Sequence, residues 1–386
     1  MTGWQNIQIN DPYGEADRST EGRLEMVNDQ MKKFFDSNAL WLSMVIGAVG
    51  YKLFLPLSPL LPWLIFFMLF FTFCKVNPLD LRLHKWHWAV LAAQLFFSLV
   101  TYGAVMYFTD NTVLAQGLMM CFIMPTATAA PIIAGKLGGS IQNLTTFTLL
   151  SNFATAIIVP VLFPLVNPAT DMTFWPAFLL ILSRVAPLLL GPFFAAWLVR
   201  VGYNYFQRRK YLSASETRGL SAKRSFSASG LSGKAGLPTF QLPKKLALIP
   251  FYLWVASIVV LSATVTQTTI TNYHSQITNI LILLLSSFLA CLIQFGLGKL
   301  IGFKLPAASK GKDYQDVLIN PAAAPKTMEG VSSITAGQAF GQKNTSLGVW
   351  MAQTYLDPMA ALGAAAYIIW QNVFNSAQLA IAAHKK

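Results

Sequence analysis

The sequence predicts an all-α polytopic membrane protein with about ten transmembrane helices, and three observations carry that prediction. Of 386 residues, 54% are hydrophobic and 11% charged, with a mean hydropathy of +0.51; soluble domains carry roughly a quarter charged residues. Apolar runs such as "PWLIFFMLFFTF", "IPFYLWVASIVVL" and "ILILLLSSFLACLIQF" recur along the chain. They are continuous, where the strands of a β-barrel would alternate. Basic residues collect in every second connection, as the positive-inside rule requires.

Residues 1–38 hold seven acidic and four basic residues and no apolar core, so they are a cytoplasmic segment and not a signal peptide. Within them "GRLEMVNDQMKKFF" suits a helix lying on the membrane surface. A spanning helix needs about 20 mostly apolar residues. Ten stretches qualify: 39–56, 58–76, 87–108, 113–136, 141–166, 178–200, 247–267, 277–301, 331–354 and 360–383. Spans 1–6 fall in region 39–200, spans 7–8 in 247–305 and spans 9–10 in 331–383. Two polar segments separate these regions. The basic loop 201–246 contains "LSASETRGLSAKRSFSASGLSGKAG", which reads as disordered cytoplasmic chain. The second is the polar cytoplasmic loop 306–330.

With the N-terminus inside, every one of the 28 basic residues except Lys52, Arg184 and Lys343 lies on the cytoplasmic side. The outer connections "FTDNTV", "NPATDMTF", "TQTTITNYHSQ" and "YLDP" carry none. Both termini and the 201–246 loop are therefore expected in the cytoplasm, in a multi-pass protein of the inner or plasma membrane. The net charge of +13 is topological. It calls for no nucleic acid, and the lipid bilayer is the expected partner. Cys74, Cys121 and Cys291 all fall inside apolar spans and read as packed thiols without metal spacing.

Of the three exceptions, Lys52 lies near the outer end of its span, where it can snorkel to the headgroups. Arg184, in "FLLILSRVAPLLLGPFF", suits snorkelling or an anion contact equally. Lys343 differs, because small or apolar residues flank it on both sides in "GQAFGQKNTSLGVWMAQT". An ionisable group at that depth is costly and marks a functional site. An enzyme is not expected: the span interiors hold no Asp or Glu, and His84, His87, His274 and His384 all fall near boundaries. Neither paired carboxylates nor a nucleophile with its base can be assembled.

Spans four and nine are interrupted. In "CFIMPTATAAPIIAGKLGG", Pro125 and Pro131 flank Thr126 and Thr128; in "ITAGQAFGQKNTSLGVW", the break falls around Gly337 and Gly341. Non-helical backbone at membrane depth is tolerated only where protein buries it or water lines it. Interrupted helices at corresponding positions of two inverted five-helix repeats point to a transporter's binding site; kinks that serve helix packing are the plainer reading. Gln371, Asn375 and Gln378 share one face of the tenth span, and Gln294 lies in the eighth; interhelical hydrogen bonding accounts for them. Asn152, near Thr148, is placed to face the crossing.

The runs "MPTATAAPIIAGKLGGSIQNLTTFTLLSNFATAIIVPVLFPLV" and "GQAFGQKNTSLGVWMAQTYLDPMAALGAAAYIIWQNVFNSAQLA" resemble the bile acid:sodium symporter family of the bile/arsenite/riboflavin transporter superfamily. The resemblance covers residues 39–383 apart from the two polar insertions. It implies a panel domain and a core domain, with discontinuous fourth and ninth helices crossing in the core and organic anions bound beside them. This chain departs from the pattern at the ion ligands. Ala339 stands at the family's glutamate position and Lys343 at a glutamine, and the family's Ser-Asn pair falls on Ala130 and Pro131. Thr128, Gly341 and Asn344 are kept. Sodium needs several oxygen ligands, preferably with a carboxylate, so these departures imply a divergent member without the usual sodium site.

The expected activity is sodium-independent transport of a small organic anion by alternating access, in a monomer or homodimer and without a cofactor. Thr126, Thr128, Gln342, Asn344 and Asn152 are the candidate substrate contacts. Lys343, with Ala339, Ala130 and Pro131, replaces the ion site, either as a fixed cation or as a proton carrier. A sodium-coupled symporter with a rebuilt ion site and a non-transporting ligand sensor are the alternatives.

Overall fold

The computed structural model describes residues 39–74, 76, 81–167, 173–217, 246–307 and 327–384. Among the described residues all regular structure is helical, apart from one isolated bridge between Thr126 and Lys343. Helices α1 (Ala39–Val49) and α2 (Tyr51–Phe73) open the chain. Pro56 and Pro59 tighten the start of α2 into a 3-10 stretch, Leu55–Leu60. Then come α3 (Lys85–Thr109), α4 (Thr112–Ile123), α5 (Ala130–Lys136), α6 (Ile141–Val166) and α7 (Phe174–Thr217). Helices α8 (Ile249–Lys304), α9 (Met328–Gly341), α10 (Thr345–Tyr355) and α11 (Ala361–His384) complete it.

Among the described residues, five stretches are long and apolar enough to cross a membrane: α2, α3, α6, α8 and the Phe174–Gln207 part of α7. Large apolar side chains point outward from them, including Leu53 at 73% and Phe108 at 79% exposure. An all-α, membrane-embedded architecture accounts for both facts. The chain ends α3 with Asp110 in the left-handed region, at φ 48°. Asn111 then caps α4 by accepting the Leu114 N–H at 3.1 Å. Two residues thus reverse the chain between α3 and α4.

Helix α8 corrects one expectation. The stretch "TQTTITNYHSQ", expected as an outer loop, is helical, and α8 runs unbroken over 56 residues. The stretch has no Gly or Pro to stop it, and its hydroxyl and amide groups bond back to their own helix. Thr268 donates to Thr264 O at 3.0 Å, Thr269 to Val265 O at 2.8 Å and Asn272 to Thr268 O at 2.8 Å. Yet both arms of α8 reach α11: Ile258 clusters with Leu40 and Ile368, while Leu284 O accepts Trp370 Nε1 at 2.9 Å. In a straight helix Ile258 and Leu284 would stand about 39 Å apart. The helix is therefore bent between them, as side-chain bonds to i−4 carbonyls favour.

Helix α7 also outruns its expected span and continues to Thr217, into the segment assigned to the basic loop. Its added residues, "VGYNYFQRRKYLSASET", are polar but contain no proline; hydropathy ends a span, whereas a helix continues through Arg, Lys and Gln. The surface helix expected in 1–38, the "LSASETRGLSAKRSFSASGLSGKAG" loop beyond residue 217 and most of loop 306–330 lie outside the described residues. The three cysteines are free and buried.

Helix α4 packs chiefly against α3, with α8 and α11 on its other sides, and α8 packs closely against α9. Glycines permit the closest approaches: a Cβ on Gly302 of α8 would lie 2.1 Å from Ser332 O, and one on Gly363 of α11 2.3 Å from Gly117 O.

Candidate functional site

Two gaps between helices meet in the core. The first, between α4 and α5, follows from Pro125: it cannot donate a backbone hydrogen bond, and Met124 before it leaves the helical region at ψ 136°. The second, between α9 and α10, spans Gln342 to Asn344. The two linkers run antiparallel. Ala127 N donates to Gln342 O at 3.0 Å, and Asn344 N donates to Pro125 O at 2.7 Å.

A helix ends with carbonyls that have no partner inside the helix, together with the negative end of its dipole. At the end of α4 each such carbonyl is met from outside the helix. Gln294 Nε2 donates to Cys121 O at 3.1 Å, and Lys343 Nζ donates to Phe122 O at 2.9 Å. Gln94 Nε2 donates to Ile123 O at 2.9 Å and to Met124 O at 3.1 Å. At the end of α9, Thr126 Oγ1 donates to Ala339 O at 2.7 Å and Tyr367 OH donates to Gly341 O at 2.8 Å.

Lys343 is 1% exposed, and its ammonium lies 5.0 Å from the centre of the Phe340 ring. The nearest acidic residues in sequence are Glu329 and Asp357. Of Lys52, Arg184 and Lys343, the first two are exposed and Lys343 alone is buried. Its backbone N–H donates to Gln371 Oε1 at 2.9 Å.

The other candidate residues divide between the gaps and their surroundings. Thr126, Gln342 and Asn344 are buried in the linkers, Thr128 is partly exposed, and Ala130 and Pro131 form the buried first turn of α5. Ala339 is fully buried on α9 and offers its carbonyl to Thr126. Asn344 caps α10 by accepting the Leu347 N–H at 3.3 Å, which leaves its Nδ2 buried and unpartnered. Asn152 donates to Thr148 O at 2.7 Å, with Oδ1 buried and unpartnered. Its neighbour Ser151 accepts the Thr126 N–H at 3.1 Å, so α6 backs the first gap. Gln342 donates to Gln338, which donates in turn to Gln378 Oε1 at 2.9 Å.

Gln94, Ser151 and Tyr367 belong to this constellation and do not stand out in the sequence. Gln94 left a trace, as an amide inside the apolar run "WAVLAAQLFFSLV". A cavity of about 310 Å³ opens beside α10, between α1, the first arm of α8 and α11. Trp41, Leu261, Val349 and Ile368 give it apolar walls, and Ser262 and Thr266 supply its polar side chains. The assembly thus buries the Lys343 amine against helix-end carbonyls, with the positive, amino-terminal end of α10 directed into the junction.

No family model matches the chain, and no curated protein matches it.

Proposed function

We propose that the chain is a multi-pass transporter of the inner or plasma membrane that moves a small organic anion by alternating access, without sodium. The observation that supports this most is the buried Lys343 ammonium, bonded to Phe122 O at 2.9 Å at the junction of two interrupted helices. On this reading α4 with α5, and α9 with α10, are each one membrane crossing broken at mid-depth. They occupy corresponding positions in two inverted five-helix repeats. Counting the two arms of α8 separately and each broken pair once gives ten crossings. The distribution of basic residues then assigns both termini to the cytoplasm.

The reading makes the protein a divergent member of the bile acid:sodium symporter family in which a tethered ammonium does the work of the ion. The carboxy-terminal end of α4 needs positive charge, and Lys343 supplies it permanently. Ala339, Ala130 and Pro131 bring no side-chain oxygen that would hold sodium. The transported anion is drawn to the amino-terminal end of α10, where Asn344 Nδ2 is an unused donor, and its apolar part occupies the adjoining cavity.

The test is uptake into proteoliposomes. Small carboxylates that raise the melting temperature of the purified protein would be supplied as labelled substrates in sodium, potassium or choline chloride of equal ionic strength. Uptake should be equal in all three. A steep sodium dependence would favour the sodium-coupled alternative, for which the buried, unpartnered Gln94 Oε1, Gln294 Oε1 and Asn152 Oδ1 would be the ligands. Binding without uptake would make the protein a sensor.

A further inference from the structure

Away from the crossing, α3 begins at an unusual cap. The His84 N–H donates to His87 Nδ1 at 2.9 Å, and the His84 ring in turn accepts the His87 N–H. This is the reciprocal pattern that Ser or Thr and Glu usually form at a helix start, built here from two imidazoles. One ring nitrogen of each histidine is thus an acceptor, so in each neutral ring the proton sits on Nε2. Both of these N–H groups face one residue at the start of α6. His84 Nε2 lies 3.2 Å from Asn143 Oδ1, and His87 Nε2 lies 3.1 Å from Asn143 O. His87 is fully buried, with its ring 4.0 Å from that of Trp86 and 6.0 Å from that of Phe147.

A second proton on either ring must go to the nitrogen that accepts a backbone N–H. Donor would then face donor, the cap would be lost, and a cation would stand at the positive end of α3. We propose that His84, His87 and Asn143 form a pH-operated latch, which ties the starts of α3 and α6 together while both rings are neutral and opens when either is protonated.

The charged side chains on neighbouring elements are mostly basic. Arg82 and Lys85 flank the cap on its own segment, Lys136 ends α5, Glu329 begins α9, and Lys299 and Lys304 lie in the last turns of α8. The facing turn of α6 presents Gln142, Asn143 and Phe147, none of which titrates. A second proton is excluded while the latch is closed, so the stability it contributes declines as the pH falls below the ordinary histidine pKa of about 6.5 that the released rings have. Opening has a defined reach. Ser140 N donates to Thr335 Oγ1 at 2.8 Å, so α6 stays tied to α9 while α3 is released. Helix α3 is also the one that brings Gln94 to the end of α4.

Hydrogen–deuterium exchange of the full-length protein in lipid nanodiscs tests the latch at pH 7.5 and 4.5, read as protection factors so that the intrinsic pH dependence of exchange cancels. Protection of the His84–Trp88 amides should fall about fivefold or more at the lower pH, the loss of one helix cap, while Leu347–Ala352 on α10 keeps its protection. The double variant His84→Asn, His87→Gln carries neutral amides with the same donors and acceptors and should lose no protection on acidification. Asn143→Ala, which keeps the helix cap but removes the Oδ1 partner, should lower protection already at pH 7.5. Equal wild-type protection at both pH values would overturn the proposal. So would a fall in the double variant as large as that in the wild type, or wild-type protection at pH 7.5 in Asn143→Ala.

Discussion

At the end of α4 four carbonyls receive two glutamine amides and an ammonium, all from other elements, whereas at the end of α9 Ala339 O and Gly341 O receive two hydroxyls. The first gap is made of Pro, Thr and Ala and has few donors of its own, so its needs are met from α3, α8 and the second gap. The second gap carries Lys343 and therefore supplies a donor to the first. A hydroxyl can rotate and accept as well as donate, whereas an ammonium only donates. The two helix ends, alike in backbone, thus differ in the donors that meet them, and the one amine is committed to the end of α4.

Lys343→Gln should have the largest effect. It shortens the donor and removes the charge at Phe122 O, a loss of about 1–3 kcal/mol of stability for a buried acceptor left unpaired. Uptake should fall about tenfold, the factor that 1.4 kcal/mol represents. The pH profile of the remaining uptake should be unchanged; a flattened profile would identify Lys343 as a proton carrier instead. Gln94→Leu comes next. It deprives Ile123 O and Met124 O of their donor, and thermal unfolding in detergent should report a loss of about 2 kcal/mol. Thr126→Val is the mildest, at about 1 kcal/mol in the same unfolding assay, because it removes one neutral bond, to Ala339 O. If Thr126→Val proves costlier than Gln94→Leu, the end of α9 is the more demanding of the two and the asymmetry is reversed.

The linker after Met124 was legible, because Pro125 is a local signal that a helix cannot ignore, and Lys343 interrupts an apolar run; Gly337 misled, since it lies inside α9 and the second linker begins only at Gln342. The partner of Lys343 was not legible. Nothing in the sequence connects Lys343 to Phe122, 221 residues away, since a carbonyl at a helix end has no side-chain signature. Tyr367 and Ser151 were missed for the same reason: each is an ordinary polar residue in an apolar span until the fold brings a backbone group to it. The continuity of α8 was obscured by a different effect. A run of Thr, Asn and Gln lowers hydropathy and reads as a loop, although the missing Gly and Pro left nothing to end the helix.

The two-residue reversal at Asp110 and Asn111 has a consequence for how the molecule comes into being. It makes α3 and α4 a compact hairpin, with Gln94 and its acceptors Ile123 O and Met124 O only 29 and 30 residues apart. Contacts so local form early, and chains are made from the amino-terminal end. The hairpin can therefore close two of its exposed carbonyls as soon as it leaves the ribosome. Phe122 O must wait until another 220 residues have been synthesised and Lys343 arrives. During that interval the nascent protein carries an unpaired carbonyl where the finished one holds the Lys343 amine, and the second half of translation completes the first.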